Sequence, residues 1–166
     1  MRHTLTCGMQ IPSLAQLKKE LSHLNEKELI NLVTDLSKFS RDNKSYLFFK
    51  LSEKDNPLLY LEMVQEELEK DFQMARGDHS YYAKKAAQKL RRKMNKLLKL
   101  SKVKTDQIEV LLFFCEKLRE YGFLRHRNQV LDNMYQMQLG KAVKLISGLH
   151  EDLQFDYEGR VEELVG

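Results

Sequence analysis

Apolar residues recur along this chain at spacings of three and four, and no run of useful length alternates with period two. The first such stretch is Leu14, Leu17, Leu21 and Leu24, introduced by Ser13 and Gln16 at the spacing of a capping box. A second capping box, Asn25 with Glu28, precedes the stripe Leu29, Leu32, Val33, Leu36 and Phe39. Two capped helices with almost no linker predict an αα-hairpin. Asp42 or Asn43 is positioned to cap a third short helix carrying Tyr46, Leu47 and Phe49. Asn56-Pro57 halts the chain and places a proline in the first turn of a fourth helix, whose stripe is Leu58, Leu61, Val64, Leu68 and Phe72. Arg76-Gly77 reads as the end of that helix, with the glycine as the left-handed residue beyond it.

The stretch 80–101 dominates the middle of the chain. Ala83, Ala86, Ala87, Leu90, Met94, Leu97 and Leu98 share an arc of about 120° at 100° per residue. Lys84, Lys85, Lys89, Arg91, Arg92, Lys93, Lys96 and Lys99 fill the remaining circumference, and Lys102 and Lys104 continue the run. Thr105-Asp106 is placed to cap a sixth helix. Its stripe is Ile108, Leu111, Leu112, Cys115 and Leu118, but Val110, Phe113 and Phe114 lie on its other sides. A helix apolar on most sides is buried on most sides, so the sixth is expected at the centre, ending at Tyr121-Gly122. A seventh helix, about 128–147, carries Leu131, Met134, Tyr135, Ala142, Leu145 and Ile146 on one face, with Gln138 amid them. An eighth, about 151–164, carries Leu153, Tyr157, Val161 and Leu164.

The fold class expected is therefore all-α. Seven to eight helices form antiparallel hairpins, wound as an irregular αα-superhelix of HEAT-like character around the central apolar sixth helix. A closed four-helix bundle is disfavoured because the first three helices are too short to be its staves. Residues 1–12 show no periodicity and read as a flexible N-terminal arm, with 13–166 as a single helical domain.

Charge changes the picture locally rather than globally. The segment 84–104 holds ten Lys/Arg and no acid, which leaves −6 for the remainder of a chain whose net charge is +4. Such polarity steers an anionic partner or pairs with the protein's own acidic helices. The fourth helix supplies Glu62, Glu66, Glu67, Glu69 and Asp71 for that pairing. Its partial neutralisation of the basic face is the expected outcome. The competing reading is non-specific nucleic-acid binding through the basic helix 84–104, with Lys84, Lys85, Lys89, Arg92, Lys96 and Lys99 as phosphate ligands. Tyr81 and Tyr82 stand at its start, where aromatic rings can stack on bases. Arg125-His126-Arg127 reads as a basic loop.

Catalytic signals are sparse. There is no G-x-S-x-G and no glycine-rich loop ahead of a helix. His3, His23, His79 and His150 are scattered, and the carboxylate pairs Glu66-Glu67 and Glu162-Glu163 lack an E-x-x-H companion. No catalytic, cofactor-binding or metal-ligating residue is nominated, and no cofactor is expected. Cys7 and Cys115 have the spacing of neither a zinc knuckle nor a redox pair, which suits a cytoplasmic location. The first twelve residues lack the apolar region of a secretory signal, and the longest apolar run, 110–115, is far too short to span a bilayer, so no membrane partner is expected. The function expected is a non-enzymatic protein-interaction module, its partner another protein or a second copy. Nucleic-acid binding is the alternative, and an enzyme with a site assembled from distant residues is the third reading.

The segments L-A-Q-L-K-K-E-L-S-H-L-N-E-K-E-L-I-N-L-V at 14–33, A-K-K-A-A-Q-K-L at 83–90 after Arg76-Gly77, V-L-L-F-F-C-E-K-L-R-E-Y-G at 110–122 and G-K-A-V-K-L-I at 140–146 carry a resemblance. Together they resemble a family of small all-helical bacterial proteins known only as a domain of unknown function. The resemblance spans nearly the whole chain from Leu14 and implies an all-helical fold. It brings no activity, cofactor or catalytic residue, and the chain lacks the proline that the pattern places soon after Arg-Gly.

Overall fold

A computed structural model describes residues 11–166. Most of the expected arm at 1–12, with His3 and Cys7, therefore lies outside the described residues. Among those residues there are eight α-helices and no strand, so the protein is all-α as its periodicity predicts. The described residues divide into two compact units, one ending at residue 44 and the other 45–166, with the boundary inside the third helix.

The first unit contains α1 (Leu14–Leu21), α2 (Glu26–Phe39) and the start of α3 (Arg41–Ser52). Both capping boxes form. Ser13 Oγ accepts from Gln16 N while Gln16 Oε1 accepts from Ser13 N at 2.9 Å. Asn25 Oδ1 accepts from Glu28 N at 3.0 Å while Glu28 Oε2 accepts from Asn25 N at 2.8 Å. Each box satisfies two backbone donors that the helix itself leaves unpaired. The third helix corrects the expected cap. Ser40, extended at φ −153°, ends α2, and its Oγ accepts from Asn43 N at 3.0 Å. Ser40 therefore does the work assigned to Asp42 or Asn43, because the helix begins at Arg41, ahead of both positions. Neither α1 nor α2 buries a residue.

The second unit holds the core. α4 (Leu59–Met74) starts after Pro57, so the proline sets the approach to the helix instead of lying in its first turn. Its buried row is Tyr60, Val64, Leu68 and Phe72. Leu58, expected on the stripe, is exposed, and Leu61 is only partly buried. The row is rotated toward Tyr60 because that ring can bury: its hydroxyl donates to Leu97 O at 3.0 Å. The expected glycine cap also fails. α4 ends on Ala75 in extended backbone (φ −75°, ψ 133°), and Gly77 does not have a positive φ. Gly77 O instead accepts from His126 across the fold, at 2.5 Å.

α5 (Ser80–Leu97) buries Ala83, Ala87, Leu90 and Met94 and runs into a short 3-10 turn, Leu98–Leu100. α6 (Lys104–Glu120) buries Ile108, Val110, Leu111, Leu112, Phe114, Cys115 and Leu118, residues from most of its circumference. It packs against α4, α5, α7 (Gln129–Ile146) and α8 (Glu151–Val165), which makes it the central helix. It is not capped by Thr105 or Asp106. It starts at Lys104, and Ser101 Oγ ties the approach together by accepting from Val103 N and donating to Asp106 Oδ2 at 2.7 Å. The far end matches expectation, with Gly122 left-handed at φ 73° beyond Tyr121. There Phe72 contacts Phe114, Tyr121 and Phe123, with ring centroids 5.6–5.9 Å apart. Tyr135 OH donates to Leu164 O at 2.6 Å, and Arg160 of α8 binds both Glu109 and Glu116 of α6.

Candidate nucleic-acid interface

The buried row of α5 fixes what its opposite face presents. At 100° per residue, Lys85, Lys89, Arg92 and Lys96 fall within an arc of about 60° opposite Ala83, Ala87, Leu90 and Met94, and Lys99 follows in the 3-10 turn. All five are exposed. Lys84 departs from this line. It lies about 100° to one side, is half-buried, and holds its Nζ 5.9 Å from the Tyr81 ring centre. The sequence thus placed five of its six candidate ligands on one face and one on the flank.

The acidic face of α4 does lie beside α5, but it takes only Lys93. That ammonium sits 2.9 Å from Glu67 Oε1 and 2.6 Å from Asp71 Oδ2. Burial works against its charge, and the two carboxylates outweigh burial, so its pKa is raised. The other acids of α4 that make ion pairs pair elsewhere: Glu66 with Lys70, and Glu69 with Lys117. Among the described residues, none of Lys85, Lys89, Arg92, Lys96 and Lys99 makes an ion pair.

Both ends of the line carry apolar surface. At the start, Tyr81 and Tyr82 are 55% and 46% exposed and meet edge to face at 5.5 Å. Lys85 Nζ lies 4.5 Å from the Tyr81 ring centre and, by hydrogen bond and charge, lowers the phenol's pKa. At the other end lies a groove of about 660 Å³. Lys99 and Lys102 enter it from the turn and the link after α5, and Lys141 and Lys144 from α7, over a floor that includes Leu98, Leu111 and Leu145. Sequence reasoning missed this convergence. Its only local trace is the basic i, i+3 pair in the last turns of α7.

The remaining candidates do other things. His126 Nε2 carries the hydrogen that Gly77 O accepts, because a carbonyl can only accept. His126 thus pins its turn to the α4–α5 link, while Arg125 and Arg127 remain exposed. Burial pushes the Cys115 thiol up to about 12, which leaves it un-ionised at neutral pH. A second cavity of about 250 Å³ is lined by Lys50, Glu53, Tyr60, Ser101 and Asp106 among others. Its polar groups are engaged with one another or with backbone: Lys50 with Glu53, Tyr60 with Leu97 O, and Asp106 with Ser101. Among the described residues, no group of three or more His, Cys, Asp or Glu is placed to hold a metal ion, and no helix is long and apolar enough to cross a membrane. Comparison of the chain with protein-family models, with curated proteins and with solved structures finds no match.

Proposed function

We propose that this protein is a non-enzymatic binding module whose partner is nucleic acid, held through its phosphates by the exposed face of α5. The observation that carries the reading is the line of five exposed cations, which make no ion pair among the described residues, beside an acidic helix that takes Lys93 alone from α5. From Lys85 to Lys99 the line runs about 21 Å at 1.5 Å per residue, enough to track several phosphates. A bilayer surface suits it less. An interfacial helix needs an apolar face to insert, and the apolar face of α5 is in the core. The surface belongs to a fold we read as HEAT-like hairpins in an irregular αα-superhelix, in a reducing cytoplasm that suits a buried free thiol.

Fluorescence anisotropy with labelled oligonucleotides tests this. Binding is expected at low salt, falling on a log–log plot with a slope near −3.5 if five phosphates are neutralised on a single strand. A triple variant, Lys89→Glu, Arg92→Glu and Lys96→Glu, should abolish it while leaving the circular dichroism spectrum unchanged. Absent binding, or binding indifferent to the triple variant, refutes the reading.

A second reading has its own observation. In the first unit Leu14 is 83% exposed and Phe39 is 82% exposed, with Ile30 and Leu36 also in solvent. Large exposed apolar groups on amphipathic helices fit a protein-interaction surface, for another protein or a second copy. If so, Leu36→Glu with Phe39→Glu reduces sedimentation-detected association or capture of a protein partner and leaves oligonucleotide binding intact. A chain that stays monomeric and captures no protein, with or without these changes, speaks against it.

A further inference from the structure

We infer that the strand bound is single-stranded, and that one of its unpaired bases enters the groove between the turn after α5 and the end of α7. The inference rests on the reading of α5 as a phosphate-binding face and names the form of nucleic acid that face takes.

The groove asks for a ligand with two properties at once. Lys99 and Lys102, from the stretch after α5, and Lys141 and Lys144, from α7, line it together with no acid among its lining residues; none of the four makes an ion pair among the described residues, and Lys141 Nζ makes one long bond, to Gln138 Oε1 at 3.5 Å. Like charges so gathered are relieved by an anion. The floor they surround is apolar. An unpaired base flanked by phosphates offers a flat apolar face and negative charge within one nucleotide. A duplex offers the charge but keeps its base faces covered by stacking.

The opposite end of the line makes the same request. Relative to Lys85, Tyr81 falls about 40° to one side and Tyr82 about 60° to the other, so both exposed rings flank the axis of the cationic line. Aromatic rings in series with cations are the recurrent platform for single strands, where each base has a face to stack. From Tyr81 to Lys99 the track is about 27 Å long at 1.5 Å per residue. That span suits about five nucleotides, with one more in the groove, at the lower end of known single-strand site sizes.

The test compares oligodeoxythymidylates of about three to twelve nucleotides with a duplex of mixed sequence, at one low salt concentration, by anisotropy. The single strand is expected to bind at least about tenfold more tightly than the duplex, with affinity rising up to about six nucleotides and then levelling. Lys141→Glu with Lys144→Glu should weaken the single strand about tenfold and leave the residual duplex binding in place, since both side chains lie at the groove. Equal affinity for strand and duplex, or a double variant that weakens both alike, overturns the inference while the phosphate-binding face stands. Failure of the wild-type chain to bind either probe removes both. The strandedness and length series use the unaltered chain, so a folding defect in the variant does not shield the inference.

Discussion

Gln138 is fully buried in the middle of the apolar face of α7; among the described residues it and Ser101 are the buried polar residues. Its Oε1 accepts a long bond from Lys141 at 3.5 Å, and its Nε2 has no partner among the described residues. An amide donor left unpaired in the core costs about 1–3 kcal/mol, whereas an apolar group of similar shape loses nothing there. Gln138→Met is therefore expected to raise stability by about 1 kcal/mol in urea denaturation; a loss of similar size would mean that the amide has a partner. Glu69 makes a prediction about pH. Bonds from Lys117 and from the Tyr121 hydroxyl hold its pKa below the usual 4.5. A carboxylate depressed in the folded state contributes stability that is complete above about pH 4.5 and is lost as pH falls through the lower folded value. Lys117, raised above 10.5 by Glu120 and Glu69, contributes stability that is complete below about pH 10.5 and is lost on further alkalinisation. Glu69→Gln should lower the plateau between those limits and flatten the acid limb of the stability profile. An acid limb as steep as in the unaltered chain would show that other carboxylates govern it.

At the scale of elements, α5 separates a structural cation from the binding ones. Lys93 faces Glu67 and Asp71, and without it those two carboxylates have lost their shared counter-ion. Lys93→Met is expected to cost about 0.5–1 kcal/mol of stability and to leave oligonucleotide affinity nearly unchanged, the reverse of the Lys89, Arg92 and Lys96 variants. If it abolishes binding without affecting stability, the assignment of faces on α5 is wrong. Which elements could be read from the sequence depends on the range of the forces that set them. The capping boxes at Ser13 and Asn25 and the left-handed Gly122 are decided within four residues, and each appears where the sequence places it. Gly77 does not stop α4 as its local sequence predicts, and its carbonyl is used by His126, which is 49 residues away. The line on α5 was legible because one helix has one period. The groove was not, since it exists only once α7 brings Lys141 and Lys144 beside Lys99.

At the scale of the molecule, the all-α class and the central place of α6 could be read from a helix apolar around most of its girth, because no single neighbour can bury such a helix. That same girth governs how the chain is born. Synthesis delivers α6 after α4 and α5 but before α7 and α8. A growing chain that has reached residue 127 has therefore made its central helix without two of the four helices that enclose it. Until α7 emerges, the flank of α6 meant for it meets solvent or whatever chaperone covers apolar segments on the ribosome. A fragment stopped at residue 127 is accordingly expected in the insoluble fraction on expression, with solubility restored as the length extends through α7 and α8. A soluble, folded 127-residue fragment would show that α4 and α5 shelter α6 on their own.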